Sequence, residues 1–158
     1  MITLFKNVEV YTPKFLGKKD ILVSGERIIE IDERIDESAV VSLNGKVLDL
    51  SDAFAVPGFV DGHVHLIGGG GEGGFSTRTP EGTSKQFLEV GTTTVIGLLG
   101  TDGVTRDHTS LLAKARHVQI EGLNAFILTG SYRYPLKTIT GDIMRDIVLI
   151  PEIIGVGE

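Results

Sequence analysis

Strand-like and helix-like segments alternate along the second part of the chain, and this alternation restricts the fold more than any other feature. Short apolar segments rich in β-branched residues predict four strands, at 54–66, 92–99, 125–128 and 153–156. Three helices are predicted between them, one from Thr79 to Gly91, one carrying Leu111, Ala115 and Val118 and ending at Gly122, and one from Asp142 to just before Pro151. Such units predict an α/β fold with a parallel sheet, either a doubly wound sheet, complete at this length, or the first half of a (β/α)8 TIM barrel.

The first 55 residues lack this alternation and predict a separate, small β domain. The first strand begins at Ile2 and has its apolar residues at one parity, as in a half-buried strand. Ser24-Gly25-Glu26 and Asn44-Gly45 each lie between apolar runs and predict hairpins, because an Asn-Gly type I′ turn joins two strands tightly. We therefore expect domains at 1–55 and 56–158, the second beginning with a strand covered on both faces.

Charge and composition exclude several classes of protein. The net charge of −6 argues against a nucleic-acid partner, because a protein that binds nucleic acid generally carries a basic surface. No apolar run reaches the roughly 18 residues that cross a bilayer, and the alternating amino terminus is unlike a signal peptide, so no membrane partner is expected. The sequence has no cysteine, which excludes disulfides and thiolate metal sites. We expect a cytoplasmic protein.

The pair His63-Val64-His65 is the sharpest chemical signal. Side chains two apart on a strand point to one face, so both imidazoles can reach a single metal ion. The pair lies at the carboxyl end of the first buried strand, where α/β folds place active sites. The alternative is a pair of structural histidines, while the remaining histidines, His108 and His117, are expected at the surface.

Six of the seven residues from Gly68 to Gly74 are glycine, and the seventh is Glu72. Such a loop lets backbone approach a ligand closely, since no Cβ intervenes. It lacks the Lys-Ser/Thr ending of a phosphate-binding loop, which disfavours nucleotide binding. Taken alone, the cluster is equally compatible with a glycine hinge.

The segment 57–65, PGFVDGHVH, resembles the first-strand motif of the amidohydrolase superfamily. These are metal-dependent hydrolases built on a (β/α)8 barrel with a small flanking β domain. Within the superfamily, four further segments resemble the isoaspartyl dipeptidases: 66–72, 77–81, 97–102 and 128–132. The resemblance implies an α/β chain with a small amino-terminal β-sandwich-like unit followed by the first half of the barrel.

The resemblance also implies a metal centre with two zinc ions, of which His63 and His65 bind the more buried one. The bridging ligand in the family is usually a carboxylated lysine at the end of the fourth strand. This chain has no lysine there, and Glu158 falls at or beside that position. A glutamate supplies the same charge and two oxygens, so we expect Glu158 to bridge the ions; the alternative is a polar chain end without this role.

Four residues are implied in substrate binding or catalysis. Glu72 would receive the free α-amino group of the substrate, and the backbone at Gly70 would approach the ligand. Thr101 would form a hydrogen bond with the substrate, although its place after a strand also fits a helix cap. Tyr132 would polarise the scissile carbonyl, the alternative being a loop tyrosine that only anchors its segment.

The implied reaction is hydrolysis of β-aspartyl dipeptides, with a small peptide as substrate and a homo-oligomer as the complete enzyme. The family needs later histidines and a catalytic aspartate, which are missing, so we expect a fragment that is inactive alone. Two alternatives stay open. One is another amidohydrolase, dihydroorotase-like or a deacetylase, and the other is a non-catalytic fragment.

Overall fold

The computed structural model describes residues 1–157, which divide into two compact units, Met1–Pro57 and the remainder from Gly58 onward. The elements of the first unit are β1 (Ile2–Tyr11), β2 (Phe15–Ser24), β3 (Arg27–Asp32), α1 (Glu37–Ser42), β4 (Lys46–Asp49) and β5 (Phe54–Ala55). They build a mixed sheet with the strand order β3-β2-β1-β4, and β5 also pairs with β1. The neighbours β1, β2 and β3 are antiparallel, whereas β4 and β5 run parallel to β1.

The alternation predicted for the first strand is confirmed. Leu4, Val8 and Val10 are at most 2% exposed and lie on one face of β1. The pairing of β1 with β2 shifts register between Phe5 and Val8. The irregular backbone of β1 is held by the buried carboxylate of Asp20, which accepts hydrogen bonds from the amides of Asn7 and Ile35 at 3.0 Å each.

Of the two predicted hairpins, the one at Gly25 is confirmed and the one at Asn44-Gly45 is wrong. The residues before Asn44 form α1, and β4 after it runs parallel to β1. Asn44 has a φ of 55°, and the amides of Asn44 and Gly45 donate to the carbonyls of Val41 and Val40. A left-handed residue ends a helix as readily as it forms a type I′ turn, so the Asn-Gly signal is ambiguous.

The elements of the second unit are β6 (Phe59–Val64), α2 (Ser84–Leu88), β7 (Thr92–Gly97), α3 (His108–Ile120), β8 (Asn124–Thr129), α4 (Ile143–Leu149) and β9 (Ile153–Val156), with a 3₁₀ turn at Phe75–Thr77. The strands form a four-stranded parallel sheet in the order β6-β7-β8-β9. Strand order follows chain order without a reversal among the described strands. This arrangement confirms the α/β fold class and the parallel sheet.

Helix α3 carries the apolar stripe that covers this sheet. Leu111, Ala115 and Val118 are fully buried, as their spacing predicts, and they pack with Val95 of β7 and Ile127 of β8. The predicted start of α4 is also confirmed, since Asp142 caps it by accepting from the amide three residues on. Within residues 1–157, no helix combines the length and the hydropathy needed to cross a membrane.

Two predicted elements differ from the structure. The apolar segment 54–66 is interrupted at Pro57 rather than forming one strand. The expected burial of its strand on both faces is wrong, since β6 is exposed over Phe59–His63. Helix α2 begins after Thr83, which forms a capping box with Gln86, rather than at Thr79. The hydroxyl of Thr79 instead accepts from the amide of Gly69 at 2.8 Å.

Asp146, in the first turn of α4, is the fully buried carboxylate of the second unit. It accepts hydrogen bonds from the hydroxyl of Thr129 at the end of β8 and from the amide of Ile139, and both the amide and the hydroxyl of Thr140 donate to it. Burial raises the pKa of this carboxyl, but the hydrogen bonds from Thr129, Thr140 and Ile139 outweigh burial, and the net effect lowers the pKa.

We expect Asp146→Asn to lower the free energy of unfolding by about 3 kcal/mol at pH 7, because an amide nitrogen would face buried donors. A lowered pKa in the folded state stabilises the protein above the ordinary pKa of about 4 and loses that contribution as the pH falls further. The difference between variant and wild type should therefore shrink below about pH 4. Urea unfolding measures this difference in the free energy of unfolding. Asp142→Asn is the control, because asparagine also caps helices well. Equal destabilisation by both changes would contradict the prediction.

Candidate active site

The two histidines of the HxH pair lie at the carboxyl end of β6 with their rings close together. His63 is in the strand and exposed, whereas His65 follows the strand and is half-buried. The ring centroids are 5.4 Å apart and the planes are nearly perpendicular, at 79°. The amide of His63 donates to the carboxylate of Asp61 at 3.1 Å. The carboxyl end of β6 therefore brings the two imidazoles close together.

The His65 ring is held between two glycines. A Cβ built on Gly69 would lie 2.9 Å from the ring Cγ, and one built on Gly100 would collide with the ring Cε1. Gly100 also has a φ of +66°, which disfavours any other residue. Within the described residues, Nδ1 of His65 is buried and has no hydrogen-bond partner. Such an atom is costly unless a ligand satisfies it.

These two imidazoles suit a zinc ion or a similar transition metal in donor type. The orphaned Nδ1 of His65 agrees with a ligand at this place, so the residues present fit a metal as two of its ligands. A group of three or more metal-binding side chains is not found within residues 1–157. Glu158, the predicted third ligand, lies outside the described residues.

Glu72 and Thr101 meet in a cleft, and Thr101 directly follows Gly100, which packs against the His65 ring. The Thr101 hydroxyl donates to the Glu72 carboxylate, joining the loops that follow β6 and β7. That hydrogen bond, with a smaller contribution from the backbone, lowers the pKa of the Glu72 carboxyl below its usual range. Glu72 is therefore an anion at neutral pH. The cleft has a volume of about 280 Å³ and is lined by Gly70, Gly71, Glu72, Phe75, Arg78, Thr101, Asp102 and Thr105.

The glycine loop is tied down rather than free, which argues against a simple hinge. The Gly69 carbonyl accepts from the amide of Thr79 at 2.9 Å, and the Gly71 amide donates to the hydroxyl of Thr77 at 3.2 Å. Gly70 has a φ of +71°, and a Cβ there would collide with the Thr77 carbonyl. The loop conformation at these positions therefore requires glycine.

Asp102, which the sequence interpretation missed, organises the loop after β7. Its carboxylate accepts from the hydroxyl and amide of Thr105 and from Arg78 and Arg106, at 2.8 and 2.9 Å for the two guanidinium groups. The bond from the Thr105 hydroxyl, followed by other donors, holds the pKa of Asp102 well below its usual range. Asp102 and Arg106 are four residues apart, but they lie in the loop before α3, where this spacing does not indicate a contact, so no local sequence pattern pointed to this cluster.

The remaining predictions concern Tyr132, His108 and His117. Tyr132 lies three residues beyond β8 and is 64% exposed, and it is not among the residues that line the Glu72 cleft. The surface placement expected for His108 is wrong, because it is 4% exposed and its Nε2 lies 2.8 Å from the Gly130 carbonyl, to which it donates. His117 is exposed as expected and lies 3.6 Å from Glu121.

The chain is similar over its whole length to solved structures of the β-aspartyl dipeptidase from the thermophilic keratin-degrading Fervidobacterium islandicum AW-1. One, in complex with a β-Asp-Leu dipeptide, is 48% identical with a TM-score of 0.92, and the other is 49% identical with a TM-score of 0.94. Among curated proteins, a dihydroorotase from Elusimicrobium minutum is 33% identical over 130 residues, 77% of this chain. An adenine deaminase from Staphylothermus marinus is 32% identical over 100 residues, 59% of this chain.

No protein-family model matches the chain. The chain spans 41% and 42% of the two dipeptidase chains, and the matched regions make up 28% of the dihydroorotase and 15% of the adenine deaminase. The structural match to both dipeptidase chains extends over all of this chain. In sequence and in fold, the chain is similar to the amino-terminal portion of the β-aspartyl (isoaspartyl) dipeptidases, members of the metal-dependent amidohydrolase superfamily.

Proposed function

We propose that the protein to which this chain belongs hydrolyses β-aspartyl dipeptides. The observation that carries the proposal is the 48–49% identity to the Fervidobacterium dipeptidase over 100% of this chain, since that enzyme was solved with a β-Asp-Leu dipeptide bound. The cleft in which Thr101 donates to Glu72 also supports it, because the Glu72 carboxylate can pair with the α-ammonium group of such a substrate.

Glu72 is the proposed receptor for the α-ammonium group. Its lowered pKa keeps it anionic at neutral pH, and a carboxylate is the natural partner of a substrate cation. Thr101 orients that carboxylate by donating its hydroxyl proton to it, and its hydroxyl oxygen is left to accept a hydrogen bond from the ammonium group of the substrate. The backbone at Gly70 lines the same cleft without a side chain in the way. Together these residues would fix the amino end of the dipeptide.

Tyr132 is the proposed donor to the scissile carbonyl. Its side chain is largely exposed beyond the end of β8, so its hydroxyl is accessible to a bound substrate. A hydroxyl donor aimed at an oxygen that gains negative charge lowers the barrier selectively, because the interaction strengthens in the transition state.

His63, His65 and Glu158 are the proposed metal ligands, with zinc as the proposed metal and two ions in the complete enzyme. When bound, zinc supplies positive charge that acidifies water and polarises a carbonyl. The two glycines around the His65 ring support this role, since they fix the orientation of the imidazole. We also propose that 1–55 forms part of a composite β-sandwich and that 56–158 forms the first half of a (β/α)8 barrel, which the unreversed parallel strand order supports.

Turnover of three substrates by the intact protein tests the proposed function. With zinc present, β-Asp-Leu should be hydrolysed at a kcat/KM at least about a hundredfold above that for dihydroorotate or adenine, as enzymes that bind distinct polar groups discriminate strongly. The matches to a dihydroorotase and an adenine deaminase make these two compounds the relevant competitors. Preference for dihydroorotate, or no turnover of β-Asp-Leu with metal bound, would overturn the proposal.

A further inference from the structure

Arg106 is a buried arginine whose guanidinium group bridges two loops of the second unit. It is 7% exposed and precedes helix α3. Its Nε donates to the carbonyl of Ile67 at 3.2 Å and its Nη2 to the carbonyl of Gly69 at 3.1 Å. Its Nη1 donates to Asp102 Oδ2 at 2.9 Å. All three nitrogens are therefore engaged, two with the loop after β6 and one with the loop after β7.

Each end of this bridge adjoins a residue of the candidate site. Gly69 packs against the His65 ring and precedes Glu72 by three positions. Asp102 directly follows Thr101, whose hydroxyl donates to Glu72. Arg78 also joins the two loops, through Asp102 at 2.8 Å and Thr105 at 2.6 Å. Arg106 is the one of the two that holds the backbone of Gly69 next to the His65 ring, so the placement of Glu72 against Thr101 depends on its bridge.

We propose that Arg106 is a positioning residue that holds Glu72 against Thr101 and thereby determines the preference for substrates with a free α-amino group. This inference rests on the proposed function, because it concerns the part of the site that would receive the amino end. Arg106 is buried beneath the loops and acts through the backbone of Gly69 and the carboxylate of Asp102.

Lysine cannot replace arginine in this bridge. The guanidinium group is planar and presents its donors in a fixed fork, whereas an ammonium is a single point of donation on a flexible stem. Arg106→Lys keeps the charge next to Asp102 but cannot reach two carbonyls and a carboxylate in the same geometry. Asp102 would also keep its ion pair with Arg78 in this variant.

The test compares Arg106→Lys and Arg106→Gln with wild type on two substrates, β-Asp-Leu and N-acetyl-β-Asp-Leu. The measured quantity is the kcat/KM for β-Asp-Leu divided by the kcat/KM for N-acetyl-β-Asp-Leu. Loss of folded protein lowers both values alike and leaves this ratio unchanged. We expect the ratio to fall about tenfold or more in both variants, mainly through a higher KM for β-Asp-Leu. Arg106→Lys provides the measurement by itself if the glutamine variant does not fold.

The matched control is Arg116→Gln, which removes another arginine paired with a carboxylate, here Glu152 at 2.7 Å on the surface. This control should leave the substrate ratio within about twofold of wild type, as surface pairs contribute little. If Arg106→Lys also leaves the ratio unchanged while wild type prefers the free amine, the inference is wrong and the proposed function stands.

Amide hydrogen exchange gives a readout that does not depend on turnover. The amides of Gly69, Gly71 and Thr105 are hydrogen-bonded in the two bridged loops. Arg106→Lys should speed exchange in peptides covering 67–74 and 101–105 by about tenfold, with core strand β8 unaffected. Unchanged exchange in both peptides would show that Arg106 does not hold the two loops together. Failure of wild type to cleave β-Asp-Leu would instead remove the proposed function and leave the bridge tested by exchange alone.

Discussion

Glu72→Gln is expected to raise the KM for β-Asp-Leu at least about a hundredfold, with a much smaller change in kcat. The substitution keeps the size of the side chain and its hydrogen bond with Thr101, but it removes the negative charge that would pair with the α-ammonium group. Steady-state kinetics on the intact protein measure the effect. The variant should also cleave the N-acetylated dipeptide about as well as wild type does.

Glu81→Gln is the matched control, since Glu81 is an exposed carboxylate nearby in sequence that pairs with Lys114 at 3.1 Å. Its kinetics should stay within about twofold of wild type. The pH dependence adds a second check. A lowered pKa keeps Glu72 ionised through the neutral range, so the KM should rise from protonation of this group only below about pH 4. An unchanged KM in Glu72→Gln would remove the assigned role.

Local sequence signals predicted those parts of the fold whose causes are themselves local. The burial of Leu111, Ala115 and Val118 follows from helical spacing, and the start of α4 follows from the ability of Asp142 to cap it. The Asn44-Gly45 signal misled because positive φ serves both a hairpin and a helix end. Thr79 misled for a different reason, since its capping hydroxyl is used by the glycine loop ten residues away.

The site was predictable only where neighbours in sequence are also neighbours in space. The HxH spacing indicates two imidazoles on one face, and the rings lie 5.4 Å apart. Glu72 and Thr101 are 29 residues apart, and family resemblance rather than any local pattern singled them out. Arg106 was missed because its carbonyl partners lie 37 and 39 residues away. Backbone carbonyls carry no side-chain signal that a sequence could show.

His65→Ala is expected to abolish stable metal binding at the HxH pair and to lower kcat/KM by a factor of about 1,000 or more, because the charge of a bound metal contributes several kcal/mol to such reactions. The imidazole is oriented by Gly69 and Gly100, and its buried Nδ1 has no hydrogen-bond partner within the described residues. Metal content of the dialysed protein, measured by elemental analysis, checks the first effect independently of turnover.

His117→Ala serves as the matched control, because His117 is an exposed histidine whose near neighbour is Glu121. It should retain the wild-type metal content and activity. If His65→Ala binds as much zinc as wild type after dialysis, the ion is held elsewhere, and the HxH pair is then structural. If instead the metal is lost while β-Asp-Leu is still cleaved at the wild-type rate, the reaction does not depend on this centre. Loss of both together is the result that the proposed metal centre predicts.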